Sequence, residues 1–273
     1  MNQLNNLSDF HLHTYFSSDS NSTPESMVKE AINRGLSSIC FTDHNDIDYP
    51  IENGKSMFQL DLPSYMKEML ELKTRYEGVF PIYIGLEQGL QNHLAPKINH
   101  YGNEYNFDFI IGSSHLVNGT DPYYKSYWDE ITIKEGIQKY YLSIVENIKA
   151  CDKFDVYGHI DYIIRYIPDK NFEYHHSEYS DIVDEALSLL IQKGKGIEVN
   201  TSGLKYGLNQ THPCTDIIKK YKELGGEIIT IGSDGHKPEH LAYAFEKVPE
   251  ILKSSGFDYY TIFKNRKPEF IKI

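Results

Sequence analysis

Cysteine is scarce. Only Cys40, Cys151 and Cys214 occur in 273 residues, and no two of them form a CxxC pair. An odd, scattered set excludes a disulfide framework and a thiolate zinc site. Long apolar runs are also missing; none approaches the roughly 18 residues needed to cross a bilayer. The opening stretch MNQLNNLSDF lacks the basic-then-apolar pattern of an export leader, so the expected location is the cytoplasm. Positive charge is in short supply too, with 27 Lys and Arg against 39 Asp and Glu and a net charge of −12. Without a basic stripe to displace counterions, neither a nucleic acid nor a membrane is an expected partner. An acidic balance does suit a chain whose carboxylates are neutralised by bound cations. The oligomeric state is not legible.

Seven short β-rich runs alternate with longer stretches of helical period. The runs are LSDFHLHT, LSSICFTDH, FPIYIGLEQG, FDFIIGSSHL, FDVYGHIDYI, GIEVNTSG and EIITIGSDGH. Among the helical stretches, TPESMVKEAINRG has a threonine cap, a proline in its first turn and a glycine stop. DLPSYMKEMLELKTRYEG, ITIKEGIQKYYLSIVENIKA, SEYSDIVDEALSLLIQKG and HPCTDIIKKYKELGG show apolar residues at three-to-four spacing. This alternation predicts βαβ units and a mostly parallel sheet. With no linker or repeat, residues 1–273 read as one domain. The expected architecture is a closed α/β barrel, with an open doubly wound sheet as the alternative. Residues 89–106 are the least periodic, and 118–130 read as a long functional loop.

Residues able to hold a metal sit at the ends of these strands. His11 and His13 close the first, Asp43 and His44 the second, Glu87 the third and His115 the fourth. His159 and Asp161 close the fifth, Asp234 and His236 the last. In parallel α/β folds the loops after the carboxyl ends share one face, which hosts the active site. Distant residues should therefore converge into a metal site. The other six histidines, 93, 100, 175, 176, 212 and 240, fall in helices or loops and read as solvated or packed, although His93 and His100 could cover the site.

HLHT with a trailing acidic residue, FTDHN, GLEQG, GSSHL, GHIDYIIR and GSDGH together resemble the motifs of the PHP (polymerase and histidinol phosphatase) superfamily. Every motif appears in order, and the best match is to its histidinol-phosphate phosphatases. The resemblance implies a distorted (β/α)7 barrel, TIM-like in plan, with a trinuclear metal centre. Carried over, it puts His11, His13, Glu87 and Asp234 on one ion, with Glu87 bridging to a second ion held by His115 and His159. Asp19, His44 and His236 would hold the third; many relatives have a histidine in place of Asp19.

Imidazole with carboxylate suits three divalent ions of zinc, iron or manganese. Three carboxylates leave such a centre a surplus of positive charge, apt for a phosphate ester and for hydroxide attack on phosphorus. Arg165, with a fork suited to phosphate, and Lys205 are candidate substrate cations. The resemblance covers both places, with an arginine expected at Lys205. Asp43 and Asp161 are candidates for moving a proton, or else for orienting a ligand histidine, and Asn200 and Ser202 for bonding substrate or water. Tyr123, Tyr124 and Trp128 could offer flat surfaces. The expected activity is release of phosphate from L-histidinol phosphate, a small-molecule substrate, in histidine biosynthesis. The alternatives are a phosphoesterase or exonuclease for nucleotides or nucleic-acid ends, and a metal-holding module without activity.

Overall fold

A computed structural model describes residues 4, 6–51, 54 and 56–273. Residues 1–3, in the opening stretch noted above, lie outside it, as do 5, 52, 53 and 55. The strands are β1 (Ser8–Leu12), β2 (Ser38–Phe41), β3 (His44–Asn45), β4 (Ile82–Gly89) and β5 (Phe109–Ser113). They continue with β6 (Val156–Tyr157), β7 (Gly196–Asn200), β8 (Ile229–Gly232), β9 (Tyr259–Lys264) and β10 (Lys267–Lys272). Seven strands pair in parallel in the order β1-β2-β4-β5-β6-β7-β8, and the short β3 adds to β4. The circle is closed beyond the end of β8: Leu12 bridges Gly235, and the His13 N–H donates to the Gly235 carbonyl at 2.9 Å. This is the closed α/β barrel that the alternation of elements predicts, in the distorted seven-stranded form that the resemblance implies.

Helices form where the local signals are strong. Pro24–Arg34 is capped by the Thr23 hydroxyl and ends at Gly35, whose φ of 74° is the left-handed conformation a C-terminal glycine supplies. Ile133–Ala150 opens with a reciprocal capping box between Thr132 and Glu135. Leu62–Arg75, Ser180–Gln192 and Thr215–Glu223 fill the other expected stretches. The least periodic segment departs from its featureless pattern and forms a helix, Ala95–Glu104, with Pro96 tolerated in its first turn.

One continuous apolar cluster joins barrel and helices. Phe10 packs against Phe109, with ring centroids 5.6 Å apart, and Phe109 stacks on Phe263 of β9 at 5.0 Å. Burying each such ring contributes about 1.5–3 kcal/mol. The antiparallel hairpin β9–β10 has no counterpart among the expected strands. It turns at Asn265 and Arg266, both at positive φ (49° and 62°), without the glycine that marks such turns in a sequence. Among the described residues no helix is long and apolar enough to cross a membrane.

Candidate metal centre

At the carboxyl ends of the strands the barrel opens into a cavity of about 460 Å³. The nine residues expected to hold metal converge at its floor. Glu87, fully buried on β4, stands at the centre with its two oxygens facing different imidazoles. Oε2 lies 3.3 Å from His11 Nε2 and 3.5 Å from His13 Nε2; Oε1 lies 2.9 Å from His159 Nε2 and 3.2 Å from His115 Nε2. Asp234 Oδ1 is 3.3 Å from His13 Nε2 and 3.9 Å from His11 Nε2. At the outer edge, Asp19 Oδ2 is 2.9 Å from His236 Nε2 and 3.9 Å from His44 Nε2. His44 also reaches inward, with Nδ1 2.8 Å from Glu87.

The outward-facing nitrogens explain why these rings hold their poses. His11 Nδ1 lies 2.7 Å from Glu198, and His115 Nδ1 2.8 Å from Asp46. His13 Nδ1 meets Ser17 Oγ at 3.1 Å, and His236 Nδ1 the Asp234 carbonyl at 3.1 Å. Each of these acceptors favours a proton on Nδ1, leaving the Nε2 lone pair for the centre. The His11 and His13 Nε2 atoms are buried with no hydrogen-bond partner among the described residues. Buried polar atoms are rarely left so, and a cation is the partner that satisfies lone pairs from several directions at once. Four triads have ligand atoms within 4.8 Å of one another: His11, His13 and Asp234; His11, Glu87 and His159; His13, His44 and His236; His44, Asp46 and His115. The donor set fits divalent ions.

Electrostatics favour the same occupants. Burial alone would raise the Glu87 carboxyl, but positive charge at the places of His11, His44 and His115 holds it well below the usual range. A bound cation supplies the same charge while leaving the imidazoles neutral. Asp234 is likewise raised by burial and drawn well below that range by His13, His11 and His236. His13 is pushed well down by burial and by neighbouring His236 and His44, so its ring stays neutral. Ionised carboxylates beside an imidazole that resists protonation form a site ready for a cation.

Backbone detail serves this floor. Asp234 adopts a φ of 53° and His159 a φ of 24°, both unusual for residues with a Cβ. Gly232 on β8 has no room for a side chain, since a Cβ there would collide with Glu198 Oε1 and His11 Cβ. Glycine at this position lets β8 close against β1.

Of the six acid–base and substrate candidates, only Arg165 lines the cavity. Its guanidinium lies 3.3 Å from the Tyr206 ring centroid and is flanked by Tyr162 and Tyr166. Asp43 sits behind the floor, where it accepts hydrogen bonds from the Thr14 N–H and Ser17 hydroxyl at 2.7 Å each. Through Ser17 it braces His13. Asp161 is equally enclosed, its oxygens taken by His212 Nδ1 at 2.6 Å and the Cys214 N–H at 2.8 Å. Neither carboxylate lines the cavity. Asn200 points behind His11 and donates to Glu198 at 3.1 Å, and Ser202 is wholly buried. Lys205 turns its ammonium to the Asp234 carbonyl at 3.3 Å.

His93 and His100 are exposed and pair with Asp48 and Glu104, away from the cavity. In the 118–130 loop Tyr123 and Tyr124 reach the cavity wall, whereas Trp128 packs on Gly136. Glu198, Asp46, Lys237, His240 and Tyr206 were not anticipated. A carboxylate inside the apolar strand GIEVN was a usable signal for Glu198, because such a residue is rarely buried without a partner.

Comparison with known proteins shows what the chain is similar to. Residues 9–202 match the PHP domain. The chain is 32% identical over 262 residues to a histidinol-phosphatase of Lactococcus lactis, covering 95% of each. It is 29% identical over 263 residues to a histidinol-phosphatase of Bacillus subtilis, covering 87% of this chain and 96% of that one. A crystal structure of histidinol phosphate phosphatase from Lactococcus lactis, complexed with Zn, L-histidinol and phosphate, superposes with a TM-score of 0.89. It shares 30% identity and covers 97% of this chain and 99% of its own.

Proposed function

The chain belongs to the PHP domain family, and on that premise we propose how its cavity works. The protein is a metal-dependent histidinol-phosphatase that hydrolyses L-histidinol phosphate to L-histidinol and phosphate. The observation that carries this is the convergence of nine ligand-type side chains, Glu87 at their centre, beneath a cavity whose wall presents Arg165.

His11, His13, Glu87 and Asp234 would hold one ion, Glu87 with His115 and His159 a second, and Asp19, His44 and His236 a third. Zinc suits this donor set, as do manganese and iron. Bound divalent ions supply Lewis acidity that acidifies water near neutral pH and offsets charge on phosphoryl oxygens. The protein's own residues then position the ester. Arg165 keeps its charge at any working pH, and its planar fork can take two phosphoryl oxygens. The tyrosines around it limit its rotamers, so little freedom is lost on binding. Lys237 and His240 border the same space. Asp43, Glu198 and Asp46 orient ligand imidazoles and take no part in proton transfer to substrate.

Residues 1–273 act as one barrel domain, a reading supported by the continuous core. Its three buried free cysteines suit a reducing cytoplasm. The test is phosphate release by metal-loaded protein from a panel of phosphomonoesters that includes L-histidinol phosphate, with and without chelator. L-Histidinol phosphate should be the preferred ester, and chelation should abolish turnover. Equal rates across the panel, or preference for single-stranded DNA ends, would reject the substrate assignment.

A further inference from the structure

Four carboxylates border the cavity: Asp19, Asp46, Asp121 and Asp234. Asp19 and Asp234 face ligand imidazoles at the floor. Asp46 is engaged as well, with Oδ1 2.8 Å from His115 Nδ1 and Oδ2 3.8 Å from His44 Nδ1. Asp121 differs: it bonds to no imidazole among the described residues, and its hydrogen bonds come from its own loop and from Tyr49. The Tyr123 N–H donates to Oδ1 at 2.7 Å, and the Tyr49 hydroxyl to Oδ2 at 2.7 Å. A carboxylate oxygen can accept more than one hydrogen bond, so both oxygens keep acceptor capacity toward the cavity. The carboxylate is thus half-buried, fixed in direction and able to bond further.

Its place in the fold sets it on the same cavity wall as the cations. Arg165 follows β6, and Lys237 and His240 follow β8; Asp121 follows β5, and its support Tyr49 follows β3. The wall therefore carries both cations for phosphate and, from the loop after the strand next to that of Arg165, a carboxylate with aromatic surface. Phe58 belongs to that surface, its ring 4.8 Å from that of Tyr49. A phosphate ester of a plain alcohol would have no use for a carboxylate there. An ester that also carries an ammonium would.

Resting on the reading of this cavity as a histidinol-phosphate site, we propose that Asp121 receives the ammonium group of the substrate. It makes the enzyme selective for amino-alcohol phosphates, while the residues of the floor and Arg165 handle the phosphoryl group. Burial pushes the Asp121 carboxyl above its usual range, and a bonded ammonium would draw it back down.

The test compares wild type, Asp121→Asn and Tyr49→Phe as metal-loaded enzymes on three esters. These are L-histidinol phosphate, its des-amino analogue 3-(imidazol-4-yl)propyl phosphate, and p-nitrophenyl phosphate. Loss of a hydrogen bond between charged groups predicts a fall in kcat/KM of about 10- to 100-fold for Asp121→Asn on L-histidinol phosphate alone. The other two esters should stay within about twofold. Tyr49→Phe, which removes the hydroxyl holding Oδ2, should show a smaller loss with the same substrate pattern, and it carries the test if Asp121→Asn does not fold. An equal loss on all three esters, or no loss on L-histidinol phosphate, overturns the assignment of Asp121. Failure of the wild type itself to prefer L-histidinol phosphate overturns the substrate reading and this inference with it.

Discussion

Replacing Glu198 by glutamine should weaken metal binding although no ligand is touched. The carboxylate is an acceptor serving three donors. Oε1 takes His11 Nδ1–H at 2.7 Å; Oε2 takes the His159 N–H and the Asn200 amide, each at 3.1 Å. Glutamine has one acceptor oxygen and one donor NH2 in nearly the same volume. With its oxygen toward His11, the NH2 group faces two N–H donors at a fully buried position. Turned over, the NH2 group faces His11 Nδ1 and drives the His11 proton onto Nε2, the atom that should meet the ion. Either pose leaves a buried group mispaired, at about 1–3 kcal/mol. Changing a residue that orients a metal-bound histidine typically lowers affinity about 10- to 100-fold. Equilibrium dialysis against buffered zinc, with metal content read by mass spectrometry, measures this directly. Thermal unfolding of the apo forms separates lost stability from lost affinity. Wild-type zinc affinity in a folded Glu198→Gln protein would refute the reasoning, because it would mean the Glu198–His11 contact does not set the imidazole's tautomer.

Two further outcomes test the proposed centre. Asp19, whose side chain is 42% exposed, is the outermost ligand, so Asp19→Ala should lower bound metal from about three ions per chain to two; an unchanged content would remove Asp19 from the ligand set. Arg165→Ala should lower kcat/KM on L-histidinol phosphate by about 100-fold, with Arg165→Lys recovering only part because a lysine keeps the charge without the fork. Full recovery by lysine would show that charge alone is used, and an unchanged rate for alanine would remove Arg165 from the phosphate site.

Much of this protein was legible along the chain because the signals are local. Hydrophobic periods of two and near 3.6 residues, the Thr23 cap and the Gly35 stop are properties of neighbouring residues, and they marked all seven barrel strands and the five expected helices. Strand-end positions were legible for a related reason: a parallel α/β topology collects carboxyl ends on one face wherever they fall in sequence. The β9–β10 hairpin escaped because Asn265–Arg266 adopts a glycine-type turn without glycine.

What only the tertiary structure decided is direction. Asp43, Asp161, Asn200 and Ser202 have suitable chemistry at suitable strand ends, yet they turn behind the floor, where Thr14, Ser17, His212, Cys214 and Glu198 occupy the first three. Asp121, Lys237 and Tyr206 come from loops with no motif and line the cavity. The residues themselves thus determined the barrel and the kind of ion it should hold. Which carboxylate meets a metal, which steadies an imidazole and which faces the substrate depended on contacts between strands far apart in sequence. A side chain's role follows from the partner it meets in space, and a buried carboxylate takes whichever donor lies within reach.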